Sequence, residues 1–366
     1  MANVTLTDLN KIFGSGPDAV HAVQDLNLKV DDGEFIALLG PSGCGKTSTL
    51  RMIVGLETVT SGKIHFDDRN VTTLEPQQRN VAMAFETYAL YPNFTVGQNL
   101  SFPLEVQGVD EATRKKRAFE VAQLLRIADL LDEYPPSLSG GQQQRVSLGR
   151  ALIREPSVFI LDEVMSHLDA HLKFQMLLDL KRLHQELSRT MIYVTHDQVE
   201  ALALADRVAV MSNAKLQQVG TRNDLYASPS NIFVADFIGE PPTNFFETAV
   251  AGTGSETCLS VQGADMLLEL SDKAKAKVKN HRLTNFIAGI RPQNLTIERA
   301  GAKLSATVKI NEYLGERSIL TVEKGGVQFR ALVPPSTRIG HGESIDLFYN
   351  SANVMVFDSE TKALIS

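Results

Sequence analysis

The chain has 366 residues, with 36 Lys and Arg against 43 Asp and Glu, for a formal charge of −7. That length suits two or three domains and excludes a single small module. The acidic balance leaves no overall basic field for a nucleic-acid backbone, and a composition of 43% hydrophobic and 22% charged residues excludes disorder on a large scale.

No run of roughly 18 or more apolar residues occurs, and the opening MANVTLTDLNKIF lacks the basic flank and apolar core of a signal peptide. The expectation is a chain that stays in the cytoplasm. Cys44 and Cys258 lie far apart, with no CxxC pair and no His-rich pattern, so neither a disulfide framework nor a structural zinc is expected.

In chain order, Val4, Leu6, Leu9 and Ile12 alternate weakly, and a second strand-like stretch from Ala22 to Val30 runs into the turn Asp31-Asp32-Gly33. An antiparallel β-layer is expected there. Glu34 to Leu39 is a short apolar run of the kind that forms a strand buried on both faces of a parallel sheet. A glycine-rich loop follows, then a helical pattern from Ser48 to Leu56 with its end near Gly55. From Asp110 to Asp132 the chain is amphipathic, with Phe119, Ala122, Leu125, Ile127 and Leu130 on the apolar side and Arg114 to Arg117 on the other, which predicts a helical subdomain. Ser157–Leu161 and Met191–Val194 are again buried-strand runs, each followed by a helical pattern, so the region alternates β and α around a parallel sheet.

The character changes near Glu240-Pro241-Pro242-Thr243-Asn244. Short alternating segments then follow, separated by turns such as Gly252-Thr253-Gly254 and Gly325-Gly326. Two domains are expected: an α/β domain over 1–240, with its helical subdomain at about 87–155, and a β-rich domain over 241–366. No internal repeat is present.

Gly40-Pro41-Ser42-Gly43-Cys44-Gly45-Lys46-Thr47 fits G-x-x-x-x-G-K-[ST] between a buried strand and a helix, the context that the motif requires. Its glycines let backbone N–H groups close around phosphate oxygens, and the following helix adds its positive end. Lys46 supplies a point charge to the β- and γ-phosphates, and Thr47 offers a Mg²⁺ ligand. Ser48 is counted with them as nucleotide-binding. Cys44 is read as a spacer in this loop rather than as a redox switch.

The run Val158-Phe159-Ile160-Leu161 ends in Asp162-Glu163, two carboxylates at the carboxyl end of a central strand. Asp162 is expected to hold Mg²⁺, and Glu163 to polarise the attacking water, because in-line phosphoryl transfer depends on alignment and electrostatics. Leu138-Ser139-Gly140-Gly141-Gln142 precedes a helical pattern and forms a second candidate anion site at a helix N-terminus. Taken alone that serine-glycine turn is equally a loop with an N-cap; with the phosphate loop it becomes diagnostic.

This set resembles the nucleotide-binding subunit of an ATP-binding cassette (ABC) transporter. More narrowly, it is similar to the bacterial carbohydrate and glycerol-phosphate importer ATPases of the maltose type. The resemblance extends along essentially the whole chain and includes Tyr88-Ala89-Leu90-Tyr91-Pro92, Tyr193-Val194-Thr195-His196-Asp197-Gln198-Val199-Glu200-Ala201 and Gly289-Ile290-Arg291-Pro292. It implies a P-loop ABC ATPase domain with an antiparallel β-layer and a helical subdomain, followed by an all-β barrel domain of the oligosaccharide-binding type that adds dimer contacts.

The resemblance further implies that Ser139 to Gln142 meet the γ-phosphate held by a second ATPase subunit, identical or paralogous, so that two ATP molecules lie between two ATPase domains. Phe13 falls where the family places an aromatic that stacks on adenine, although a core place in the first strand is the alternative. His196 resembles the switch histidine that senses the γ-phosphate. Asp169 resembles the loop residue that couples the two sites. Glu86 stands where the family usually has a glutamine contacting Mg²⁺ and the attacking water, and Val164 and His167 replace a commoner proline and asparagine. The segment from Tyr88 to Phe94 is either core or part of a groove that receives a cytoplasmic helix of a membrane subunit.

The reading is a peripheral ATPase subunit at the cytoplasmic face of the inner membrane, with ATP and Mg²⁺ as cofactors. It works with two transmembrane permease subunits and, indirectly, with a periplasmic solute-binding protein, and it does not bind nucleic acid. Two competing readings are a soluble ABC-fold ATPase, which ordinarily shows a long coiled-coil insertion or two cassettes, and a catalytically weak regulatory module in which Glu86 marks decay. The locally basic stretch Asp272 to Lys279 is read as a solvated helix face.

Overall fold

The computed structural model describes residues 2–85, 87–252 and 256–365. These fall into two compact units, 1–222 and 223–366.

The first unit opens with β1 (Val4–Phe13) and β2 (Val20–Val30), an antiparallel pair in which Val4 lies opposite Val30 and Leu6 opposite Leu28. Next comes β3 (Phe35–Leu39), every residue of which is buried, as the continuous apolar run requires. It leads through the glycine-rich loop into α1 (Lys46–Val54), which stops at Gly55 in the left-handed conformation. Two further strands, β4 (Ser61–Phe66) and β5 (Arg69–Asn70), complete a four-stranded antiparallel sheet in the order β2-β1-β4-β5. The apolar faces of this sheet and of α1 share one core with Ile36, Leu38, Ile160, Ile192 and Val194 of the central sheet.

After β6 (Val81–Ala84) the chain forms α2 (Val96–Val106), α3 (Glu111–Leu124) and α4 (Gly140–Leu152), a run of helices inside the interval expected for the helical subdomain. The amphipathic stretch is not one helix. Asp110 caps α3 through the Thr113 N–H at 3.0 Å, but the helix ends at Leu124 because Arg126 takes a left-handed φ of 56°. Ile127 then turns into the core, while Phe119 stays 46% exposed.

The chain returns to the sheet as β7 (Val158–Asp162), α5 (Ala170–Leu187), β8 (Thr190–Thr195), α6 (Gln198–Leu204), β9 (Arg207–Ser212) and β10 (Lys215–Gly220). The central sheet runs β10-β9-β3-β8-β7-β6, parallel except for its edge strand β10. The carboxyl ends of β3, β8 and β7 are adjacent, the place where open parallel sheets bind ligands.

The second unit begins earlier than the composition change at Glu240-Pro241. Its first helices, α7 (Arg222–Ala227) and α8 (Ile232–Phe237), are bonded to the β-rich segment that succeeds them. The guanidinium of Arg291, 2% exposed, donates to the carbonyls of Tyr226 and Ile238, and Ile232 N–H donates to the Lys362 carbonyl. These bonds draw the contact division to residue 222/223 rather than 240.

Two antiparallel sheets make up the rest. The first comprises β11 (Asn244–Ala251), β12 (Cys258–Val261), β13 (Leu267–Glu269) and β14 (Asn285–Ile290), with α9 (Asp272–Lys279) lying between β13 and β14 in sequence. The second comprises β15 (Ala302–Tyr313), β16 (Ser318–Lys324), β17 (Val327–Val333) and β18 (Ser344–Tyr349), while β19 (Met355–Asp358) returns to pair with β14. Both sheets contribute to one apolar core. α9 buries Ala274 and Val278, leaving Lys273, Lys277 and Lys279 outside the core.

Candidate ATP-hydrolysis site

The phosphate loop occupies residues 40–45, between β3 and α1. Two of its glycines are required by backbone packing. A Cβ on Gly40 would lie 2.2 Å from the Met211 carbonyl oxygen, and one on Gly45, at φ 104°, would lie 2.2 Å from that of Ala22. Pro41, Ser42 and Gly43 are exposed, and Thr47 and Ser48 are half-buried in the first turn of α1. Lys46 is 4% exposed, its Nζ donating to the carbonyls of Gly40 at 2.8 Å and Pro41 at 3.0 Å, so its charge is held over the loop. Cys44 packs into the core, and burial pushes its thiol up while Lys46 pulls it down. A thiol raised in this way is a poor redox centre, in keeping with a spacer.

Asp162 ends β7, and its register partner on β8 is Val194. Glu163 comes next in the left-handed region at φ 46°, an uncommon backbone state for a residue with a Cβ, and its N–H donates to the Val194 carbonyl at 3.0 Å. The carboxylate is thereby placed beside His196, which leaves the end of β8, with Nδ1 of His196 lying 3.2 Å from Oε2 of Glu163. Leu39 of β3 pairs with Thr195 of β8. The phosphate loop, His196 and the Asp162-Glu163 pair therefore issue from three neighbouring strands.

The remaining expected residues lie around this centre in different ways. Ser139 caps α4 by a reciprocal pair of bonds with Gln142, and the glycines after it neighbour Tyr88 and Leu172 rather than the phosphate loop. Asp169 is exposed and caps α5 through the Leu172 N–H at 2.9 Å. Val164 is buried, which suits an apolar side chain there, and His167 is exposed. Phe13 is 41% exposed at the end of β1, with the Lys11 ammonium 4.7 Å from its ring centroid, so it is not a core residue. Glu86 lies outside the described residues.

Tyr88, Ala89 and Tyr91 line a groove of about 620 Å³ together with Val81, Phe102 and Arg150. Phe94 packs edge-on against Phe102 behind it. No residue from Tyr88 to Phe94 is fully buried, so the segment borders the groove and is not part of the core.

Sequence reasoning did not find the buried polar cluster beneath His196. Glu200 is 3% exposed, and its carboxylate accepts from the Tyr193 and Thr195 hydroxyls and pairs with Lys173 at 2.6 Å. Its members are spread over α5, β8 and α6, and no spacing rule connects Lys173 with Glu200.

A hydroxyl at Thr47 and a carboxylate at Asp162 form a donor set suited to Mg²⁺, which keeps waters and substrate phosphates as its other ligands. Among the described residues no group of three or more His, Cys, Asp or Glu side chains is placed to hold a metal.

A Gly-rich loop closing on a helix N-terminus, a strand-end carboxylate pair and a facing histidine define a P-loop nucleotide hydrolase of the α/β class. The family described as ABC transporter matches residues 23–166, and the TOBE domain matches residues 288–357. The chain is 41% identical to the osmoprotective compounds uptake ATP-binding protein GgtA of Synechocystis sp., covering all of both chains. It is 42% identical to the trehalose/maltose import ATP-binding protein MalK of Thermococcus litoralis over 99% of each. Among solved structures, it resembles the ATP-binding cassette MJ0796 in a dimeric post-hydrolysis state bound to ADP and Pi. The TM-score is 0.53 at 28% identity, covering 60% of this chain and 98% of that one. The chain belongs to the ABC transporter family as an ATP-binding, ATP-hydrolysing subunit, of the group that includes the carbohydrate and glycerol-phosphate importers.

Proposed function

We propose that this ATPase powers uptake of a carbohydrate, polyol or glycerol derivative across the cytoplasmic membrane. The observation that carries the hydrolytic part is the convergence of Lys46, Asp162, Glu163 and His196 at the ends of three adjacent strands, with Glu163 and His196 3.2 Å apart. The transported class is supported by the names of full-length relatives, which are import proteins for trehalose/maltose, xylose/arabinose and sn-glycerol-3-phosphate.

In this account the backbone amides of 40–45 and Lys46 hold the β- and γ-phosphates, and Phe13 stacks on adenine. Thr47 and Asp162, with Glu86, would hold Mg²⁺, which when bound would supply positive charge to the phosphates. Glu163 accepts the proton of the attacking water, and His196 keeps that carboxylate and the γ-phosphate in register. Ser139 to Gln142 act on the nucleotide of a second ATPase subunit, in line with their neighbours in this chain being Tyr88 and Leu172. The α/β and β-rich domains take these roles separately, the second contributing dimer contacts.

The groove at Tyr88, Tyr91 and Arg150 receives a segment of each of two permease subunits, which places the chain peripherally on the cytoplasmic face. A periplasmic binding protein acts through those permeases. Among the described residues no helix is long and apolar enough to cross a membrane itself.

Glu163→Gln tests the reading. ATP binding is expected to be retained and turnover to fall by about 100-fold or more, with the dimer trapped closed. Turnover near the wild-type rate contradicts the assignment.

A further inference from the structure

The cluster beneath His196 has a specific wiring. Lys173 lies one turn into α5, the helix that Asp169 caps, and is 28% exposed along its side chain. Its Nζ lies 2.6 Å from Glu200 Oε1 and 3.0 Å from Asp197 Oδ2. The other oxygen of Glu200 accepts from the Thr195 hydroxyl at 2.6 Å, and that hydroxyl accepts from the Asp197 N–H at 3.0 Å. Asp197 Oδ1 also caps α6 through Val199 N–H at 2.8 Å. Both neighbours of His196 in the chain are therefore fastened to the same ammonium: Thr195 through Glu200, and Asp197 directly.

We propose that Lys173 is a positioning residue for ATP hydrolysis, joining the first turn of α5 to the loop that presents His196 to Glu163. The inference rests on the reading of Glu163 and His196 as the hydrolytic pair. Exposed ion pairs contribute little, but this one includes a carboxylate that is 3% exposed. Removing the ammonium leaves Glu200 and Asp197 as two like charges whose remaining donors among the described residues are the Tyr193 and Thr195 hydroxyls and the amides of Val199 and Glu200. The imidazole, whose side chain is 55% exposed, has a hydrogen bond to Glu163 and little packing to fix it, so its aim depends on that backbone.

The ion pairs also explain the charge states. Burial works against the Lys173 ammonium, but bonds from Glu200 and Asp197 outweigh it and leave it above its ordinary range. Burial likewise opposes the Asp197 carboxylate, and Lys173 with the α6 amides overcomes it and holds the group below the usual range.

The test compares steady-state ATP turnover of wild type, Lys173→Met, Lys173→Arg and Glu163→Gln, each as the full chain in the complex recovered from its membranes. For Lys173→Met, kcat is expected to fall on the order of tenfold to a hundredfold, with the KM for ATP within about twofold of wild type. Lys173→Arg keeps the charge and is expected to retain kcat within about threefold. Should Lys173→Met fail to fold, the isosteric Glu200→Gln carries the same expectation from the other end of the pair. A Met variant with wild-type kcat overturns the proposal, as does an equal loss in the Arg and Met variants with KM raised, which marks a structural role. If Glu163→Gln turns over like wild type, the hydrolytic reading itself fails, and the proposal with it; an inactive Glu163→Gln beside a fully active Lys173→Met removes only the Lys173 link.

Discussion

Gly45 shows how much a single position decides. At φ 104°, with the Ala22 carbonyl oxygen where a Cβ would stand, it admits no side chain unless β2 moves. Gly45→Ala is therefore expected to destabilise the first unit by about 2–4 kcal/mol in chemical denaturation and to abolish nucleotide binding measured by calorimetry. Unchanged affinity in that variant would show that the loop does not need this backbone state. The places of Lys46 and Thr47 between β3 and α1, and of Asp162 and Glu163 at the end of β7, were legible in the sequence because the motif fixes residue type and spacing together between a strand and a helix. His196 was legible only through resemblance, since a lone histidine after a strand has no such constraint. That Phe13 is exposed rather than buried required the fold, because its alternation within β1 fits either face.

Among elements, α1 is the one that must stay rigid, since its first turn carries Lys46 and Thr47. Its far end is closed by Arg79, 4% exposed, which donates to the carbonyls of Ile53 at 2.9 Å and Leu74 at 2.7 Å and also to that of Met52. A cation at a helix C-terminus satisfies orphan carbonyls and complements the helix dipole. Arg79→Met is expected to cost about 3 kcal/mol and to raise amide hydrogen exchange across 46–54, with α3 unaffected as an internal control. Exchange that is unchanged over α1 would mean that core packing alone holds it.

This bond was invisible in the sequence for the same reason as the Lys173 cluster: partners 26 residues apart obey no local periodicity. Local rules served well where they applied. β3, β7 and β8 followed from their apolar runs, and α1 stopped at Gly55, where a helix end was expected. They gave α3 within its amphipathic stretch but not its end, since apolar spacing continues past Leu124 where Arg126 turns left-handed and begins a different segment.

On the scale of the whole molecule, the composition change near Glu240 was legible, whereas the contact division at 222/223 was not. The difference is made by α7 and α8, whose helical pattern reads like the domain before them although Arg291 binds their carbonyls from the domain after.

The central claim is that the chain drives an importer from the membrane surface. Its most direct test is to recover the full chain through a tag from gently solubilised membranes of its host and weigh the intact complex and its subunits by native mass spectrometry. The account predicts two ATPase subunits, either two copies of this chain or one beside a paralogue, together with two membrane proteins. Recovery of the chain with no membrane protein would contradict it.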